Sequence, residues 1–156
     1  VIPVFLDQIK NKIPLTVTDE NMTRFSLSLN EATEFVLTCL KNMQGGEVFV
    51  PKLKSYKITD VVKALRKKNF KVVGIRPGEK LHEQMIGLED APYTYEYPGY
   101  YKILPQINNW DKNKKIIKNG NKVNDDFFYS SNTNNQWMTN QELKRWVENN
   151  LNNFEK

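Results

Sequence analysis

Helical and strand-like segments alternate along the first 86 residues, and this alternation constrains the fold more than any other feature. Apolar residues at spacings of three and four predict helices, and short β-branched or alternating runs predict strands. The predicted helices cover residues 2–10, 29–43, 60–68 and 79–86. The predicted strands cover residues 14–18, 47–51 and 71–75. Alternating elements of this kind favour an α/β layered structure.

The second helix has the clearest signals. Ser28 and Glu31 have the spacing of a capping box, and Gly45-Gly46 follows the expected end of the helix near Met43. Its apolar stripe consists of Ala32, Phe35, Val36, Cys39 and Leu40. This stripe predicts a buried face, with Cys39 as a core thiol. Because Cys39 is the chain's one cysteine, an internal disulfide and a cysteine zinc site are excluded.

The pattern changes after about residue 90. Tyr93, Tyr95 and Tyr97 alternate as in an edge strand, and residues 100–104 are its expected partner across a Pro98-Gly99 turn. Residues 106–126 are polar and predict a loop. A final helix begins near Thr139 and carries Leu143, Trp146, Val147 and Leu151. The sequence therefore predicts an α/β region over 1–90 and a looser appendage over 91–156.

Several classes of catalytic and targeting signal do not occur in the sequence. It has no G-x-G-x-x-G or Walker A motif and no Tyr-x-x-x-Lys pair, and its one histidine is His82. No apolar run approaches the roughly 18 residues of a membrane span, and the apolar start lacks a basic leader and a cleavage site. These features predict a cytoplasmic protein without its own catalytic or dinucleotide-binding motif.

Two arginines predict an anion site. Arg76 follows a predicted strand in the sequence Ile75-Arg76-Pro77-Gly78-Glu79, and Arg24 lies in a polar turn after the first strand. A guanidinium matches a phosphate with two parallel donors, and ligands bind beyond the carboxyl ends of strands in α/β sheets. Glu79 is placed to accept hydrogen bonds from a ribose diol. The alternative is a surface ion pair between Arg76 and a capping Glu79, with Arg24 a solvated loop residue.

Four motifs occur in an order that resembles a known family: residues 17–25, 45–52, 74–83 and 129–137. Together they resemble the C-terminal, substrate-binding half of the UDP-N-acetylglucosamine 4,6-dehydratases, in the extended short-chain dehydrogenase/reductase family. The motif at 129–137 resembles the inverting dehydratases that open pseudaminic acid synthesis. The resemblance implies the C-terminal part of a Rossmann-like α/β fold and a role in polysaccharide biosynthesis.

The family's reaction implies that the two halves of the enzyme have different roles. NADP oxidises the sugar at C4, water is eliminated across C5 and C6, and the hydride returns at C6. The family's cofactor loop and catalytic Tyr-x-x-x-Lys belong to its N-terminal half, so no cofactor is expected on this chain alone. The resemblance assigns Arg24 and Arg76 to the pyrophosphate, Glu79 to the ribose and Thr16 to the uracil. It also places the segment with Tyr129, Ser130 and Asn132 near the substrate.

Two other functions remain open from the sequence. The net charge of +5 and seven tyrosines allow a nucleic-acid-binding module, although the basic residues are dispersed. A non-catalytic assembly subunit derived from the same family is the second alternative. Strands without neighbours expose edges that pair with other chains. We therefore expect the chain to form homo-oligomers or to bind a separate N-terminal Rossmann half, with a UDP-sugar as its ligand.

Overall fold

The computed structural model describes residues 1–65, 69–106 and 116–154. The helices are α1 (Ile2–Lys10), α2 (Leu29–Asn42), α3 (Ile58–Ala64) and α4 (Asn140–Phe154). The strands are β1 (Leu15–Val17), β2 (Thr23–Phe25), β3 (Val48–Pro51), β4 (Ser55–Lys57), β5 (Phe70–Val72), β6 (Gln84–Ile86), β7 (Thr94–Tyr97), β8 (Tyr100–Ile103), β9 (Asn121–Lys122) and β10 (Tyr129–Ser130). A single 3₁₀ turn at Ala91–Tyr93 precedes β7.

The described chain divides into two compact units that interleave along the sequence. The first unit contains residues 1–26, 54–83 and 134–156, and the second contains residues 27–53 and 84–133. This division differs from the predicted boundary near residue 90. The difference arises because β4 and α3 pack with the N-terminal elements, whereas α2 and β3 pack with the hairpin that follows.

A mixed layer of helices and short strands forms the first unit. Strands β1 and β5 pair in parallel, with Leu15 opposite Phe70, and β2 pairs antiparallel with β4. Leu15 and Val17 of β1 are buried, whereas Thr16 between them is half-buried, as the period of two in a strand requires. Helices α1 and α3 pack against these strands, and α4 packs against α1 and α3. Their shared core comprises Ile2, Phe5, Leu15, Val17, Met22, Tyr56, Ile58, Val61, Val62, Leu143 and Val147.

An antiparallel sheet organises the second unit. Its strand order is β3-β8-β7-β9, and a separate antiparallel pair joins β6 to β10. The predicted hairpin is confirmed, because β7 and β8 pair across the Pro98-Gly99 turn. Gly99 has φ +85°, which only glycine adopts without strain. Residues 107–115 of the predicted 106–126 loop lie outside the described residues, while Asn121–Lys122 within it forms β9 and pairs with β7.

Helix boundaries are mostly confirmed. The Ser28–Glu31 capping box is formed, and α2 ends at Asn42, one residue before its predicted end. The Thr139–Glu142 box also forms, with the Thr139 amide donating to Glu142 at 2.9 Å. The third helix begins at Ile58, two residues before its predicted start, with Lys57 at the N-cap position and no side-chain capping bond. It ends at Ala64, and residues 66–68 of the prediction lie outside the described residues.

Two other predictions are wrong. No residue of α2 is buried: Val36 and Leu40 are exposed and Cys39 is half-buried. Residues 79–86 do not form a helix, because Gln84–Ile86 forms β6 and pairs with Tyr129–Ser130. Before β6, the Leu81 carbonyl accepts the Thr23 amide at 3.1 Å. These long-range hydrogen bonds replace the local i to i+4 bonds that a helix would need.

Candidate functional site

A cavity of about 160 Å³ opens in the first unit beside β1 and the segment that follows β5. It is lined by Val1, Val4, Phe5, Thr16, Thr18, Met22, Arg24, Ile58, Val73, Arg76 and Glu79. Four of the seven predicted substrate-binding residues therefore surround one cavity: Thr16, Arg24, Arg76 and Glu79. Phe5, Met22 and Ile58 are each 2% exposed and form an apolar floor. The cavity thus combines an apolar base with polar and charged groups on its wall.

Thr16 is fixed by a residue that the sequence analysis did not select. Gln8 on α1 donates from Nε2 to Thr16 Oγ1 at 2.7 Å, and its Oε1 accepts the Thr16 amide at 3.1 Å. Gln8 follows buried Phe5 by three residues, so both occupy one face of α1. This spacing is the signal that places an amide side chain beside β1. Because Gln8 holds both groups of Thr16, the edge of β1 at the cavity is rigidly oriented.

Arg76 and Glu79 form the two ends of a tight turn. The Glu79 amide donates to the Arg76 carbonyl at 3.0 Å, and the Arg76 amide donates to Glu79 Oε2 at 3.1 Å. Pro77 and Gly78 lie between them, with Gly78 at φ +84°. Proline followed by glycine with positive φ is the sequence that a type II turn requires. The turn places a guanidinium and a carboxylate together at the exposed rim of the cavity.

Arg24 is held by protein groups on several sides. Its Nη1 donates to the carbonyls of Thr23 at 2.7 Å and Leu81 at 3.2 Å, and its Nη2 donates to the Lys80 carbonyl at 2.9 Å. Its Nε lies 3.3 Å from Glu83 Oε1. The guanidinium therefore ties β2 to residues 80–83. A direct contact of Arg24 with a ligand phosphate stays a prediction, whereas its bonds to the loop are part of the structure.

The charge of Arg24 also acts on its cross-strand neighbour. Tyr56 lies opposite Arg24 in the β2–β4 pair and is 8% exposed. Burial raises the pKa of Tyr56, and the nearby Arg24 charge acts in the opposite direction. The phenol is consequently neutral at physiological pH and packs in the core of the first unit.

His82 lies in the loop before β6, since the helix predicted for residues 79–86 does not form. Its Nδ1 is 2.8 Å from Thr23 Oγ1. Thr23 also donates its amide to Leu81, so Thr23 adds two contacts to those by which Arg24 joins β2 to this loop. His82 thereby has a scaffold contact outside the lining of the cavity.

The remaining three predicted site residues belong to the second unit and do not line this cavity. Tyr129 is 4% exposed, and its hydroxyl accepts the Leu53 amide at 2.8 Å. Burial raises the pKa of Tyr129, and the bond from Leu53 opposes that shift. Ser130 is also buried and donates to the side chain of exposed Asn132 at 2.7 Å. These contacts fix the segment inside its own unit, and its substrate role stays a prediction.

The described part of the chain contains neither a metal-binding cluster nor a membrane-spanning helix. Across residues 1–65, 69–106 and 116–154, no group of three or more His, Cys, Asp or Glu side chains is arranged to hold a metal ion. Within the same residues, no helix is long and apolar enough to cross a membrane.

Residues 1–105 match the polysaccharide biosynthesis protein family. The chain belongs to this family. Two relatives are UDP-N-acetylglucosamine 4,6-dehydratases (inverting) of Campylobacter jejuni. One is 46% identical over 135 residues, covering 83% of this chain and 40% of the relative. The other is 43% identical over 150 residues, covering 92% and 45%. These matches confirm the resemblance stated from the sequence motifs.

More distant relatives and a solved structure agree with this family assignment. UDP-glucose 4-epimerase of Rickettsia akari is 36% identical over 108 residues, covering 66% of this chain and 32% of the relative. The X-ray structure of Pen from Bacillus thuringiensis superposes with a TM-score of 0.77 at 29% identity, covering 97% of this chain and 46% of that one. The predicted fold class is thereby confirmed. The chain spans less than half the length of each of these proteins.

Proposed function

We propose that this chain is the nucleotide-sugar-binding part of an NADP-dependent UDP-N-acetylglucosamine 4,6-dehydratase in surface polysaccharide or glycan biosynthesis. The observation that carries the proposal is the grouping of Thr16, Arg76 and Glu79 around one cavity. Family membership and the two Campylobacter relatives support the substrate class. Because both relatives are inverting dehydratases, we assign the chain to the inverting type that opens pseudaminic acid synthesis.

Each wall of the cavity suits a different part of a UDP-sugar. Arg76 at the rim presents the forked donors that bind a pyrophosphate, and its flanking turn limits the conformations of the backbone. Glu79, fixed in the same turn, accepts hydrogen bonds from the ribose hydroxyls. Thr16, oriented by Gln8, offers polar groups to the edge of the uracil, and the apolar floor packs against the base.

The chemical contribution of these residues is binding and orientation. A pyrophosphate held by Arg76 fixes one end of the substrate, so the sugar is presented at a defined distance from the anchoring residue. Fixing reactants in this way removes translational and rotational freedom before the chemical step. The chain's own residues thus determine which nucleotide is accepted and where its sugar lies.

The described residues do not fit NADP itself. A dinucleotide pyrophosphate requires a glycine-rich turn from a strand into a helix N-terminus. Here β2 enters α2 through Ser26, Leu27 and Ser28, and β4 enters α3 directly, without glycine at either junction. We therefore place NADP, which supplies the redox chemistry of the complete enzyme, on another part of that enzyme.

Calorimetric titration of the chain with uridine, UDP and UDP-N-acetylglucosamine tests the proposal. UDP and UDP-N-acetylglucosamine should bind more tightly than uridine. A charge-assisted contact contributes about 1.5–3 kcal/mol, so Arg76→Ala should weaken UDP binding about tenfold or more. Arg76→Lys should restore only part of the affinity, because an ammonium lacks the planar fork. Arg145→Ala on α4 removes the same charge outside the cavity and is the matched control.

Two results would remove the support for this function. Equal affinities for uridine and UDP would show that the phosphates are not recognised. Wild-type affinity in Arg76→Ala would exclude the rim arginine as an anchor. A parallel incubation with UDP-N-acetylglucosamine and NADP should yield no 4-keto sugar by mass spectrometry, since the chain lacks Tyr-x-x-x-Lys. UDP binding without that product distinguishes a substrate-binding part from a self-sufficient enzyme.

A further inference from the structure

Helix α2 has an apolar arc much wider than a helix on a single surface needs. At 100° per residue, its apolar side chains span roughly 200° of the helix circumference. A surface helix that packs against one core typically presents a stripe of roughly 100°. The remaining arc of roughly 160° carries Asn30, Glu31, Glu34, Thr38, Lys41 and Asn42, and Thr33 is the one polar residue within the apolar arc. The width of the apolar arc indicates a helix with two packing partners.

One side of this arc packs within the second unit. Ala32, Phe35 and Cys39, at positions i, i+3 and i+7, are half-buried. The Phe35 ring lies 6.3 Å from the ring of Tyr100 on β8. This side of α2 is therefore directed at the antiparallel sheet and accounts for about 60° of the apolar arc.

The other side of the arc is open to solvent. We define the outer stripe of α2 as Leu29, Val36, Leu37, Leu40 and Met43, with exposed fractions of 74%, 55%, 52%, 60% and 49%. Leu29, Val36 and Leu40 recur at i, i+7 and i+11, which places them in one line along the helix, and Met43 follows at its C-cap. Contiguous exposed apolar surface of this kind marks an interaction site. A single exposed leucine would need no such explanation.

We propose that the outer stripe of α2 is the docking surface for the dinucleotide-binding part of the enzyme. The stripe lies inside the shared fold, because Pen covers 97% of this chain. More than half of Pen and of each Campylobacter relative lies outside the matched region. A folded part of that size provides an apolar surface for the second face of α2. The identity of this partner rests on the proposed function, whereas the exposed stripe is a feature of the structure.

Co-expression provides a direct test. Tagged chain is co-expressed with the untagged part of the Campylobacter relative that this chain does not match, and the complex is isolated on the tag. Wild-type chain should retain that part in a 1:1 complex, measured by native mass spectrometry. Val36→Lys and Leu40→Lys should each reduce recovery about tenfold or more. Leu88→Lys, at a residue 58% exposed in the same unit but on a different segment, should behave as wild type.

The controls separate docking from folding and from nucleotide binding. Because Val36 and Leu40 are exposed, their lysine variants should melt near the wild-type temperature and bind UDP with wild-type affinity. If neither wild type nor any variant bound UDP, the proposed function would be contradicted. The recovery of the complex would still test the docking proposal independently. The docking proposal would be overturned if the stripe variants retained as much of the co-expressed part as wild type does. It would also be overturned if wild type formed no complex. A homodimer of the chain that is lost in Leu40→Lys would assign the stripe to a second copy and also overturn it.

Discussion

The Arg24 guanidinium donates from Nη1 to the Leu81 carbonyl at 3.2 Å, joining two residues that are 57 positions apart in the sequence. The same guanidinium donates to the Lys80 carbonyl and lies beside Glu83. The loop that carries Arg76 and Glu79 is therefore anchored at its far end to strand β2. This relationship gives Arg24 a positioning role that is independent of any contact with ligand.

Replacing Arg24 by lysine should loosen this loop. A lysine retains the charge but cannot donate to Lys80, Leu81 and Glu83 from one rigid fork. Hydrogen exchange in residues 76–83 and at the Thr23 amide should accelerate, and UDP affinity should fall. Glu83→Gln, which removes the ionic partner alone, should accelerate exchange less. Unchanged exchange in Arg24→Lys would show that the loop holds its position without the guanidinium.

The Gln8–Thr16 pair should contribute measurably to stability. Gln8→Ala removes two partly buried hydrogen bonds, and a net contribution of about 0.5–1.5 kcal/mol for each predicts a loss of about 1–3 kcal/mol. Gln8→Glu should lose less, because a carboxylate accepts both the Thr16 amide and its hydroxyl proton. Urea denaturation measures the difference. Asn11→Ala removes an exposed side-chain bond from the same helix and should have little effect. If Gln8→Ala lowered the free energy of unfolding no more than Asn11→Ala does, the stabilising role of the Gln8–Thr16 pair would be contradicted.

Glu47 and Lys102 form a buried ion pair in the second unit. Their charged atoms are 3.8 Å apart, and the side chains are 1% and 5% exposed. Burial acts to raise the pKa of Glu47, but amide bonds from its own residue, Gln44 and Gly45, with the Lys102 charge, outweigh it and lower that pKa. Lys102 has other partners, since Nζ lies 3.3 Å from the Ile116 carbonyl and 5.0 Å from the Phe49 ring centroid.

Removing one member of this pair should be costly, and the two single variants should differ. Glu47→Leu leaves a buried ammonium without its carboxylate and should cost about 3–5 kcal/mol. Lys102→Met fills the same space and leaves Glu47 with its amide donors, so it should cost less. The double variant should be more stable than Glu47→Leu alone. Urea midpoints of the three variants provide the comparison, and strictly additive losses would rule out coupling between the two side chains.

The Glu142 carboxylate should make stability dependent on acid pH. The hydrogen bond from Lys54, with the amide and hydroxyl of Thr139, lowers the pKa of Glu142 from 4.5 to about 2. A depressed pKa stabilises the folded state above the unfolded value, and this stabilisation is lost as pH falls through the folded value. Glu142→Gln should therefore lower the melting temperature at pH 7. The difference in melting temperature between this variant and wild type should shrink as the pH falls from 4.5 to about 2.

The control for this titration is Glu148→Gln on the same helix. Glu148 lies 3.8 Å from Lys144, and the side chains of this pair are 54% and 40% exposed. Exposed pairs of this type contribute little, so the control should show no comparable pH dependence. If the difference in melting temperature between Glu142→Gln and wild type stayed constant from pH 7 to pH 3, the lowered pKa of Glu142 would be contradicted.

The local signals in the sequence determined the helices with capping boxes, strands β1, β3 and β5, and the β7–β8 hairpin, whereas β2 and β4 were not predicted. Ser28 with Glu31 and Thr139 with Glu142 have nearest-neighbour chemistry, so three or four residues suffice to specify each helix start. The chemistry of Arg76-Pro77-Gly78-Glu79 is local in the same sense. Its proline and glycine specify the turn, and the turn brings the charged groups together.

Tertiary structure decided the features that depend on distant residues. The sequence around His82 is compatible with a helix, but pairing of Gln84–Ile86 with β10 and the bonds from Thr23 and Arg24 select a loop and a strand. Likewise, the apolar stripe of α2 could not reveal which side would be covered, because coverage depends on the position of Tyr100 in the folded sheet. The burial of Lys102 could not be predicted either, since its partners Glu47 and Ile116 come from other segments. Hydrogen-bond pairing and burial across such separations exist only after the chain has folded.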